Sequence, residues 1–166
     1  MDLFAISGLI NGVGSLSFGL LIFYKNWKDT INRIFLLLMV SLSLWSFSYW
    51  YWLSSAQTPE SALFWVRMLS IGSIWIPVFH FHWILLIVEK IKENKRSLIG
   101  IYFIAFLFSL FSFSDAFVNG VEQKAIFPYW PNAGLLYSFY LGCVYVGLVT
   151  YSLYLLIKSF RNNPEK

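Results

Sequence analysis

"FWVRMLSIGSIWIPVFHFHWILL", residues Phe64 to Leu86, reads as a membrane-spanning helix that carries an arginine, a proline and two histidines. A helix needs roughly 20 apolar residues to cross about 30 Å of hydrocarbon, and this run supplies them. Ionisable side chains are costly at that depth, so they become candidates for ligand, proton or metal sites, while proline removes a helical hydrogen bond. The fold class depends on whether the rest of the chain behaves the same way.

It does. Apolar runs of spanning length cover residues 3–24, 31–53, 62–88, 98–118 and 134–160. The chain is 58% hydrophobic, only 12% charged, and has a mean hydropathy of +0.66, whereas a soluble domain is about 25% charged. Aromatic residues reach 21%, more than a small soluble core can bury but natural for lipid-facing helices and interfacial belts. Backbone groups in lipid must be satisfied within the spanning element, which favours five helices over an odd set of barrel strands. The expected architecture is therefore all-α: a polytopic membrane protein with a five-transmembrane-helix bundle occupying residues 1–166 as one domain. The intervening "KNWKDT", "SSAQTPES", "EKIKENKRS" and "DAFVNGVEQKAIFPYWPNA" read as loops. The first run is a retained span, because "MDLFAISG" carries an acid and the basic residues follow the run, the reverse of a signal peptide.

Basic residues set the expected orientation. Lys25, Lys28 and Arg33, then Lys90, Lys92, Lys95 and Arg96, then Lys158, Arg161 and Lys166 fall on one side of the alternating spans, ten of the twelve in the chain. Of the other two, Lys124 lies in the last loop and Arg67 within a span. The positive-inside rule places the amino terminus outside and the carboxyl terminus in the cytoplasm. The net charge of +4 is a topology signal, and the scattered basic residues form no patch that would track a nucleic-acid backbone. The bilayer is the first partner.

Few residues carry candidate chemistry. His80 and His82, two apart, point to roughly opposite sides of a helix, so they cannot share a metal, and no other histidine exists. Neither metal nor cofactor is expected; packing, helix-to-helix hydrogen bonding and proton sensing remain open for the pair. Cys143 is the single cysteine, which excludes an internal disulfide. No phosphate loop, nucleophile set or paired intramembrane carboxylates support an enzyme. Pro77 frees the carbonyl of Ser73 and is a hinge candidate. Arg67 either snorkels to headgroups, pairs with Asp115 or Glu60, or meets an anionic ligand. If the helices bundle in sequence order, Tyr49, Trp50, Arg67, Asp115, Tyr129 and Tyr137 converge on an outward-facing pocket. Gly8 and Gly12, four apart, permit close helix packing or a homodimer, and Asn11 beside them can bond across helices.

Three segments carry a family resemblance. They are "NRIFLLLMVSLSLWSFSYWYWLSS", with Asn32, Phe35 and Trp45; "FWVRMLSIGSIWIPVFHFHW", with Trp65, Arg67, Gly72, Pro77 and Phe79; and "PYWPNAGLLYSFYLGCVYVGLVTYSLYLL", with Pro131, Gly134, Tyr137 and Tyr145. In these the chain resembles the amino-terminal seven-transmembrane sensor region that precedes PAS and kinase domains in bacterial and archaeal histidine kinases. The resemblance implies a multi-pass protein of the prokaryotic cytoplasmic membrane. It also implies a sensory input module that passes a stimulus by helix repacking to a cytoplasmic signalling domain or partner protein. Five of the seven spans are expected here, so the chain is either an amino-terminal part of a longer receptor or a five-span relative. The competing functional readings are a small transporter or permease subunit and a structural assembly subunit.

Overall fold

The computed structural model describes residues 3–162; Asp2 and Lys166, used above for the leader and charge readings, lie outside them. Helix α1 is Leu3–Lys25, α2 is Thr30–Ser55, α3 is Pro59–Ile87 and α4 is Ile91–Phe111. Strands β1 (Val118–Lys124) and β2 (Phe127–Ala133) follow, then α5 (Leu135–Phe139), a π-helical turn (Tyr140–Tyr145) and α6 (Val146–Asn162). α5, the π turn and α6 form one continuous fifth span. Among the described residues, five helical segments are long and apolar enough to cross a membrane. The chain is an all-helical, multi-pass membrane bundle, with a small hairpin added at one end.

Local chemistry places the helix starts. The Asp29 carboxylate accepts from the Ile31 amide at 2.9 Å, and the Thr58 hydroxyl accepts from the Ser61 amide at 3.2 Å with Pro59 at the first helical position. Loop one is tied to α2 by Arg33 Nε, 2.8 Å from the Trp27 carbonyl, and Asn32 Nδ2, 3.1 Å from that of Asn26.

The fourth span departs from the expected 98–118. It begins at Ile91, because four of the six residues of "KENKRS", Lys92, Glu93, Lys95 and Arg96, are good helix formers, and it stops at Phe111. There the Ser112 and Ser114 hydroxyls take the carbonyls of Ser109 and Phe111, each at 2.7 Å, competing with continuation of the helix. The segment read as a final loop is instead an antiparallel hairpin in which Lys124 faces Phe127. Ala125 turns it at φ 53°, in the left-handed region, and Gly120 at φ 158° sits where the register shifts.

Helix α3 is the hub, packing on α2, α4, α6 and the hairpin. Gly72 lets it press against α2: a Cβ there would lie 2.6 Å from the Trp45 amide nitrogen and 2.8 Å from the Ser41 carbonyl. The Gly8 and Gly12 face is likewise used within the chain. A Cβ at Gly8 would lie 2.8 Å from the Tyr49 ring, and Asn11 Nδ2 donates to Ser46 Oγ at 2.6 Å. The glycine spacing therefore serves α1 against α2, and that face is not free for a second copy.

Two apolar clusters result. One, at the hairpin end, centres on Trp52, Val66, Ile74, Val78, Phe117 and Tyr140; the other, at the basic end, on Phe81, Leu85, Leu98 and Leu155. Outward faces keep large apolar side chains such as Ile10, Phe103 and Leu110 exposed, as lipid contact requires.

Candidate functional site

Arg67 turns inward and across. Its Nη2 donates to Asp115 Oδ1 at 2.7 Å and to the Val118 carbonyl at 3.0 Å, so one guanidinium ties α3 to the segment before β1 and to β1 itself. The Asp115 side chain is 83% exposed, and ion pairs to such partners contribute about 1 kcal/mol at most. The contact matters chiefly for position: it fixes where the hairpin leaves the bundle. Arg67 Nε is buried with no hydrogen-bond partner.

The hairpin is pinned over the end of α2 at two further points. Trp52 Nε1 donates to the Tyr129 carbonyl at 2.8 Å, and the Tyr129 hydroxyl donates to the Gln57 carbonyl at 3.0 Å. The Trp130 ring meets Trp52 edge-on at 5.9 Å. Beneath lies a cavity of about 350 Å³ walled by Trp45, Tyr49 and Trp52 of α2, Ser70 of α3, Trp130 of the hairpin and Tyr137 of α5. The rest of its lining is aliphatic, and among the described residues no acidic or basic side chain belongs to it.

The six pocket residues expected from the sequence are thus distributed unevenly. Tyr49 and Tyr137 line the cavity; Arg67, Asp115 and Tyr129 hold its roof. Trp50 is not among the lining residues, because it follows Tyr49 by one position and so lies about 100° round α2.

Pro77 lies one turn beyond the residue whose carbonyl it vacates, and that vacancy is filled from the fifth span. The Tyr140 hydroxyl donates to the Ser73 carbonyl at 2.7 Å, with Tyr140 only 1% exposed. Tyr140 also opens the π-helical turn, the irregular backbone type that concentrates at functional sites. Ser70 and Tyr137 line the cavity, while Ser73 and Tyr140, three residues further along each helix, form the bond. Cavity and kink are therefore adjacent turns of the same two helices. Sequence reasoning identified the freed Ser73 carbonyl but not its donor, since no motif singles out one tyrosine of the fifth span.

The histidines part company as their spacing requires. His82 Nδ1 lies 2.8 Å from the Tyr102 hydroxyl on α4, whereas His80 Nδ1 is buried without a partner. Among the described residues no cluster of three or more His, Cys, Asp or Glu side chains could hold a metal.

Residues 8–166 match the family described as the N-terminal 7TM region of histidine kinase. No curated protein and no solved structure matches the chain.

Proposed function

Because the chain belongs to the family of N-terminal 7TM regions of histidine kinases, we propose that it is a membrane-embedded sensory input module. A stimulus received at the hairpin end repacks α3 against the fifth span, and α6 carries the change to a C-terminal signalling domain or a partner protein. The observation that carries this reading is the bond from Tyr140 to the Ser73 carbonyl. A freed helix carbonyl can be satisfied by a neighbouring helix in more than one arrangement, and a stimulus shifts populations only if it favours one of them. Pro77 supplies the hinge and Tyr140 the latch. The cavity beside them is the input, with Tyr49 and Tyr137 in its wall and Arg67, Asp115 and Tyr129 holding its roof.

The module sits in the prokaryotic cell membrane with the hairpin outside and the basic ends of the spans in the cytoplasm. In a Cys143→Ser background, Gln123→Cys on the hairpin should be labelled by an impermeant maleimide on intact cells, and Asn26→Cys in loop one should not. Labelling of Asn26→Cys alone would reverse the orientation.

The functional test is Pro77→Ala in a receptor that carries this region ahead of its kinase. An alanine restores the amide that bonds the Ser73 carbonyl, so the helix straightens and the tyrosine loses its acceptor. Expression should hold while basal autophosphorylation changes by roughly fivefold or more, the size of a coupling of about 1 kcal/mol. Unchanged phosphorylation would reduce Pro77 to a packing kink and remove the hinge from the proposal.

A further inference from the structure

The hydrogen bonds of the cavity wall are unevenly satisfied. Ser70 donates to the Val66 carbonyl and Trp52 to that of Tyr129, but the hydroxyls of Tyr49 and Tyr137 have no hydrogen-bond partner among the described residues. Both tyrosines are half-buried, and each hydroxyl is an O–H donor open to an incoming acceptor. The Trp45 and Tyr49 rings are stacked at 5.5 Å with 8° between their planes, which presents flat aromatic surface.

Charge narrows the ligand further. Among the described residues no carboxylate lines the cavity to neutralise a cation, and the Trp130 ring already has Lys124 Nζ 5.7 Å from its centroid. Nor, among the described residues, does any basic side chain line the cavity to receive an anion: Arg67 stands outside the wall, with its Nη2 on Asp115 and the Val118 carbonyl. The volume, about 350 Å³, lies at the small end of the roughly 300–1,000 Å³ typical of ligand pockets.

Resting on the input-module reading above, we infer that this cavity binds an uncharged planar ring bearing a hydrogen-bond-accepting oxygen, held between aromatic walls and the hydroxyls of Tyr49 and Tyr137. The ligand class is that of small aromatic ketones and related ring carbonyl compounds, which reach such a site by partitioning into the bilayer.

The test uses the full 166-residue chain in lipid nanodiscs, with heats of injection corrected against empty nanodiscs so that partitioning is subtracted. Fluorenone is the probe. Fluorene, of nearly the same shape without the oxygen, and a fluorenone carboxylate are the comparisons. Fluorenone should bind saturably at one site per chain, fluorene about tenfold more weakly, and the carboxylate more weakly than fluorenone. The Tyr49→Phe/Tyr137→Phe variant should bind fluorenone no better than fluorene while its fluorene affinity stays unchanged. Three results would each overturn the inference. They are equal binding of fluorenone and fluorene, stronger binding of the carboxylate, and no saturable signal beyond empty nanodiscs, as a lipid-filled cavity would give. None of these touches the hinge, which is judged separately by the phosphorylation of the Pro77→Ala receptor.

Discussion

Tyr140→Phe is expected to unlatch the fifth span from α3. The substitution keeps the ring in its buried place against Phe108 and Phe117 but removes the hydroxyl that satisfies the Ser73 carbonyl. A buried acceptor left without a donor costs about 1–3 kcal/mol. That is comparable with the gap between two packings of a switch, so the equilibrium should move by about one to two orders of magnitude. In a receptor carrying this region, kinase output should shift in the same direction as with Pro77→Ala. The double variant is the sharper check. Pro77→Ala returns to the Ser73 carbonyl its own helical amide, and Tyr140→Phe leaves a ring with no hydroxyl in need of an acceptor. Thermal stability should therefore recover relative to Tyr140→Phe alone while output stays biased, because the latch is gone. Additive losses of stability would mean that Pro77 and Tyr140 act on separate groups.

Gly72→Leu should abolish folded protein. A Cβ at this position meets the backbone of Trp45 and Ser41, which cannot swing aside as a side chain tip would. Even Gly72→Ala should cost about 1–3 kcal/mol by overpacking, although alanine is the better helix former by about 1 kcal/mol. Gly100 is the control. Nothing lies within 4 Å of a Cβ built there, so Gly100→Ala should leave thermal stability unchanged or slightly raised. Fluorescence-detected size-exclusion after heating reads both, and equal behaviour at the two glycines would contradict the close approach of α3 to α2.

The bundle was legible because hydropathy needs no partner to be read: each span shows in its own residues. Errors came where local chemistry competes with hydropathy. In span four the apolar "FSFSDAFV" lengthened the run at one end, while serine hydroxyls end the helix at Phe111 and a charged segment extends it back to Ile91. The hairpin carries no two-residue glycine turn; its Asn119 and Gly120 lie in the strand and its corner is Ala125 and Ile126, so the usual sign is absent.

The candidate site was legible only in part, for a related reason. Arg67 and Asp115 could be matched by charge, and Ser73 by its distance from Pro77. Which residues share a cavity depends on helix rotation, and this separates Tyr49 from its neighbour Trp50. Tyr140 could not be chosen among the tyrosines of the fifth span, because the π turn that begins there resets the facing of everything after it.

The relay is tested most directly by one distance measured at the end opposite the hairpin. Spin labels at Ile87 on α3 and Ile157 on α6, both exposed, would be placed in a Cys143→Ser background in nanodiscs. If Tyr140 latches the two helices, Tyr140→Phe should shift or split the distance distribution between these labels relative to the parent chain. Superimposable distributions would contradict it, since the bond would then hold a buried carbonyl without governing how the fifth span packs.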